Sequence, residues 1–67
     1  MARHVLITAQ TEKAVCIDAN TWVARSQIID MVELDEPSKM VDCGKIQRVG
    51  IPHAIVVTEK AMNRAGW

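Results

Sequence analysis

Apolar and polar positions alternate with a period of two over most of the chain, in short runs separated by polar or turn-forming residues. His4 to Ala9 (H-V-L-I-T-A) puts Val5 and Ile7 on one face and Leu6 and Thr8 on the other, which predicts a strand. Lys13 to Asp18 (K-A-V-C-I-D) is apolar on both faces at its centre and predicts an internal strand. Ala19-Asn20 is read as a tight turn, with Asn20 tolerating the positive φ that such turns need, and Thr21 to Ala24 as the returning strand of a hairpin. After Arg25-Ser26-Gln27 the periods compete. Alternation joins Ile28, Asp30, Val32 and Leu34, whereas helical spacing joins Ile28, Met31, Val32 and Asp35, and Ser26 is placed to cap a helix. The β-branched content favours the strand.

Asp35-Glu36-Pro37-Ser38 predicts a loop, since a proline disfavours helix at the residue before it. Met40 to Val49 reads as a small hairpin turning at Asp42-Cys43-Gly44-Lys45. Gly50-Ile51-Pro52 predicts a second break, and Ala54 to Val57 a last strand. Period two then gives way to a helix. Thr58 is a natural N-cap, Glu59 favours the first turn, and Gly66 suits the left-handed residue after the last. Trp67 is then placed to fold back on Ala61 or Met62, sealing the body. These elements predict an α+β fold: one compact domain over residues 1–67, with a small curled antiparallel sheet and one C-terminal helix.

Size and composition change this picture in one respect. A chain of 67 residues buries a modest share of its surface, and with no Phe or Tyr and only Trp22 and Trp67 its core must be aliphatic. Self-association is the simplest way to bury more, so a homodimer or other homo-oligomer is expected. Eight basic and eight acidic residues cancel, which argues against a general nucleic-acid binder while leaving room for a local patch. The chain has no apolar run long enough to span a bilayer and no export-signal pattern, so a cytoplasmic protein is expected, with Cys16 and Cys43 as reduced thiols.

Four groups of side chains are candidates for chemistry. Asp30, Glu33, Asp35 and Glu36 hold half the acidic residues within seven positions. They read either as a solvated face or as a partner-binding patch that docks on a basic protein surface. Trp22 and Arg25, with Ser26 and Gln27 beside them, offer a base-stacking indole and a phosphate-holding guanidinium. The structural alternative has Trp22 anchoring the sheet while Ser26 and Gln27 satisfy backbone groups. Lys13, Lys45 and Arg48 would extend a nucleic-acid surface, or serve only for solubility. Lys39 lies on the same hairpin. His4, His53, Cys16 and Cys43 lack the paired spacing of a zinc site, and neither a phosphate-binding glycine loop nor a nucleophile motif is present. No metal, cofactor or catalytic residue is therefore expected.

Three blocks of the chain occur in the same order in a known group. T-E-K-A-V at Thr11 to Val15, W-V-A-R-S-Q-I at Trp22 to Ile28, and V-V-T-E-K-A-M-N-R-A-G-W at Val56 to Trp67 resemble small proteins of phages and mobile elements. Those carry T-E-K-A, then W-[IVL]-P-[KR]-S-Q, and finish near P-E-W-L-A-x-K-x-G-L. The chain departs at Ala24, which replaces a proline, and at Thr58 and Lys60, which replace a proline and a tryptophan. The resemblance implies a phage setting, a β-rich body with a C-terminal helix, and no catalytic residues. On that basis the expected function is a non-catalytic accessory protein that binds a host or phage protein, as an inhibitor of a host enzyme or defence complex. The alternative is a small single-stranded nucleic-acid binder using Lys13, Trp22, Arg25, Lys45 and Arg48.

Overall fold

The computed structural model describes residues 2–67. Its first strand, β1 (Arg3–Gln10), runs antiparallel to β2 (Ala14–Ile17), which pairs in turn with β3 (Thr21–Ala24). The predicted hairpin is present, but the residue with positive φ is Asp18 (φ 55°), not Asn20. Asp18 is held there from β1. Its N–H donates to Leu6 O at 2.7 Å, its carbonyl accepts from Thr8 Oγ1 at 2.8 Å, and its carboxylate faces the Leu6 N–H. A short polar side chain tolerates that conformation better than most.

A 3₁₀ turn (Arg25–Gln27) leads into β4 (Ile28–Glu33), so the competing periods resolve as strand. Neither simple alternation nor helical spacing describes its faces. A bulge between Ile28 and Asp30 adds Ile29 as an extra residue and shifts the phase of the strand. Ile28 and Met31 therefore face inward, while Asp30 and Val32 face outward.

Strand β5 (Lys39–Asp42) and the start of β6 (Gln47–Val57) form the predicted second hairpin, closed by a Cys43 N–H to Ile46 O bond of 2.9 Å. The break expected at Gly50-Ile51-Pro52 is absent, and β6 runs through it. Pro52 is tolerated because no donor is needed at its place. Leu6, its neighbour on β1, turns its own N–H and C=O toward Asp18. On the other side β4 has ended, and only the Pro52 carbonyl is used, accepting from Leu34 N–H at 2.9 Å. Gly50 is required for a different reason. A Cβ there would stand 2.9 Å from Leu6 Cβ and 2.9 Å from Val41 Cγ2, so only glycine lets the β5–β6 hairpin pack this closely across β1.

The strand order is β3-β2-β1-β6-β4, with β5 added beside the first half of β6. The outermost strands β3 and β4 are joined by three residues. A flat sheet would hold them ~19 Å apart, at ~4.8 Å per strand spacing. Four steps of extended chain reach only ~14 Å, so the sheet must curl. Its concave face holds the aliphatic core: Val5, Ile7, Val15, Ile17, Val23, Ile55 and Val57. His53 is buried on the same face and its Nδ1 lies 2.7 Å from Ile51 O.

Helix α1 (Glu59–Ala65) closes that face by burying Ala61. Thr58 is its N-cap, accepting from the Ala61 N–H, and ties the helix to the 3₁₀ turn through Gln27 Oε1 at 2.6 Å and Gln27 O at 2.9 Å. Gly66 is left-handed (φ 74°), and the Trp67 N–H reaches back to Met62 O at 3.0 Å, completing a Schellman end. The Trp67 ring packs against the core, with the Arg3 guanidinium 4.9 Å above it. The described residues thus form a small antiparallel sheet of six strands with one C-terminal helix. The molecule is mostly strand, and the α+β label fits it loosely.

Candidate functional site

The four acidic candidates stay together at one border of the sheet. Asp30 and Glu33 lie on β4, and Asp35 and Glu36 lie in the connection to β5, all four exposed. Strand β4 pairs with β6 on one side only. The Leu34–Pro52 bond sets the phase of that pairing, since bonded and non-bonded pairs alternate along an antiparallel ladder. Met31 and Glu33 therefore turn their N–H and C=O groups outward. Ile29, pushed out by the bulge, is 68% exposed, and Val32 is 52% exposed. The result is an unpaired strand border with two bare aliphatic side chains among carboxylates. Natural proteins ordinarily blunt such an edge or use it for docking.

Trp22 stands on the opposite border. Cross-strand from Cys16, it projects on the convex side and is 50% exposed, so it is not a core anchor of the sheet. Two grooves meet at it. One, of about 390 Å³, lies between the β2–β3 hairpin and the β5–β6 tip, where Arg48 and Ile46 face Trp22 and Asn20. The other, of about 500 Å³, runs between β3 and α1. No carboxylate lines either groove.

Of the basic residues expected beside Trp22, Arg48 shares its groove, and Lys45 sits in the hairpin tip between the lining residues Gly44 and Ile46. Arg25 is committed elsewhere. Its Nε donates to Thr11 O at 2.8 Å and its Nη2 to Gln10 Oε1 at 2.7 Å, clamping the β1–β2 turn. Lys13 lies at that same turn, beside Arg25 in the β2–β3 ladder. The Gln27 side chain accepts from the Thr58 hydroxyl at 2.6 Å, not from a backbone group as the structural alternative had it.

Lys60 and Arg64, which line the β3–α1 groove, were not among the candidates. Their signal was present: they are four apart on a helix, and so are Ala61 and Ala65, whose small side chains leave the groove open. What sequence spacing alone does not reveal is that this helix face meets β3. Cys16 and Cys43 are free thiols on the hairpin-side groove, whereas His4 lines a separate cleft with Glu36 and Lys39. Among the described residues no three His, Cys, Asp or Glu side chains come together as a metal site.

These arrangements suit recognition: two open strand borders of opposite charge, one carrying an indole. No helix among the described residues is long and apolar enough to cross a membrane. Comparison with protein-family models, curated proteins and solved structures returned no match for this chain.

Proposed function

We propose that the protein is a non-catalytic binding module that docks on a basic surface of another protein through the acidic border of β4. The observation that carries this reading is the unpaired edge of β4, with Ile29 and Val32 exposed beside Asp30 and Glu33. Apolar side chains supply the desolvated centre of a contact, and the carboxylates around them steer encounter and set register. Asp35 and Glu36 extend the same charge past the end of the strand. A two-fold pairing of β4 with its own copy would bring the two acidic stretches together, which disfavours this edge for a homodimer. The resemblance to phage and mobile-element proteins gives the reading its setting: a cytoplasmic accessory protein that occupies, and so inhibits, a host enzyme or defence complex.

The test is capture from a lysate of the native host with immobilised protein, beside the variant Asp30→Lys, Glu33→Lys, Glu36→Lys. The three sites are exposed, so the variant should keep the far-UV spectrum of the parent while losing at least nine-tenths of the captured partner. Equal capture by the two proteins would contradict the assignment of the acidic border.

A second reading is favoured by one observation, the meeting of half-exposed Trp22 with Arg48 in a groove free of carboxylates. A single-stranded nucleic acid would stack a base on the indole and place a phosphate on the guanidinium.

A further inference from the structure

We propose that the groove between the free edge of β3 and helix α1 is a strand-addition site for an extended, acidic peptide segment of another protein. It is a different surface from the β4 border and does not depend on that reading.

The backbone supports this first. Arg25 N–H bonds Lys13 O, which fixes Lys13–Arg25, Val15–Val23 and Ile17–Thr21 as the bonded pairs of the β2–β3 ladder. Trp22 and Ala24 therefore point their backbone groups away from β2. The Ala24 carbonyl is taken by the 3₁₀ turn that it caps. The Trp22 N–H and C=O and the Ala24 N–H remain, and among the described residues they have no backbone or side-chain partner. Their spacing is that of a strand edge awaiting a neighbour.

Shape comes next. The groove follows β3 without a gap from Asn20 to Ala24, and its other wall is one face of α1. An edge strand facing a helix across an open channel is the arrangement that holds a peptide as one more strand, with main-chain bonds giving affinity and alternate side chains giving specificity.

Charge then selects the occupant. Lys60 and Arg64 line the helix wall, and no Asp or Glu lines the groove. Side chains of an added strand alternate between the two sides. One set faces Lys60 and Arg64 and should be acidic. The other faces the convex side beside Trp22 and should be apolar. With β3 four residues long, the segment needs four or five residues in that alternating pattern.

A phosphodiester chain satisfies the two cations but not the edge, because its backbone has no alternating N–H and C=O groups at strand spacing. The β4 segment of a second copy has the charge but not the pattern, since its bulge at Ile29 breaks the alternation. Both are outcomes of the test.

The probes are a blocked octapeptide alternating valine and glutamate, its valine–lysine counterpart, and a ten-residue oligothymidylate, each titrated into ¹⁵N-labelled full-length protein in 50 mM salt. The glutamate peptide should shift the Trp22 and Ala24 amides, bind at least tenfold tighter than the lysine peptide, and weaken at least tenfold on Lys60→Glu, Arg64→Glu. It should bind the Asp30→Lys, Glu33→Lys, Glu36→Lys variant unchanged, which separates this site from the β4 border. The comparison between peptides on the parent protein stands even if the helix variant does not fold. Equal binding of the two peptides, no amide shift at millimolar peptide, preferential binding of the oligothymidylate, or amide shifts that follow protein concentration alone would each overturn the proposal.

Discussion

Replacing Ile17 with alanine is expected to leave much of the protein unfolded at 37 °C. Ile17 is fully buried at the last position of β2, flanked by β1 and β3, and belongs to a core cluster built with side chains of β1, β3, β6 and α1. Removing a buried isoleucine to alanine loses its transfer free energy and leaves a cavity, costing about 2–5 kcal/mol depending on how far the site relaxes. This site should lie toward the upper end. Val15 and Ile55, the other fully buried side chains of the cluster, and its cross-strand partner Ile7 are all fixed in paired strands, so little can collapse into the gap. A chain of this length has a total stability of about 3–10 kcal/mol, at roughly 0.05–0.15 kcal/mol per residue. The loss is therefore a large fraction of the whole. Urea denaturation followed by far-UV circular dichroism should show the midpoint collapse, while Val32→Ala, on an exposed site, stays within about 0.5 kcal/mol of the parent. A loss below 1 kcal/mol at Ile17 would mean that the core is not where the structure places it.

Deleting Gly66 and Trp67 is expected to cost about 2–3 kcal/mol, although it touches only the last two residues. Three contributions act together. The helix loses the bonds from Gly66 N–H to Asn63 O and from Trp67 N–H to Met62 O that close its last turn. The core loses the partly buried indole, and Arg3 loses its aromatic partner. A seven-residue helix has little stability of its own, so an unclosed last turn frays toward Ala61, the residue that buries it. The midpoint of thermal unfolding should fall by roughly 10 °C or more, at about 4–8 °C per kcal/mol for a domain of this size. A truncated chain that melts with the parent would show that the terminal indole does not seal the core.

The strands were legible wherever alternation was clean. Val5 and Ile7 announce β1, and Val15 with Ile17 announce an internal β2, because burial of one or both faces writes itself directly into residue type. The end of the chain was equally legible, since Thr58 and Gly66 satisfy backbone needs that few other residues meet. The β4 bulge was not. One inserted residue at Ile29 changes the phase of the strand, and a pattern of mixed phase reads as half helix. Pro52 misled for a related reason: proline excludes a strand only where its missing donor is wanted, and that depends on where β4 ends. The acidic border was visible because its four members are close in sequence. The surroundings of Trp22 were not, because Arg48, Lys60 and Arg64 reach it only through the curl of the sheet and the placement of α1.

Both binding surfaces require that β3 and β4 be open borders of the sheet, available for another chain. Amide hydrogen exchange of the dilute, isolated protein tests this residue by residue. The Trp22, Ala24, Met31 and Glu33 amides should exchange orders of magnitude faster than those of Val5, Ile7 and Ile55, which are bonded inside the ladder. Protection of the four border amides equal to that of the interior strands would show that the borders are already paired, and would contradict the account.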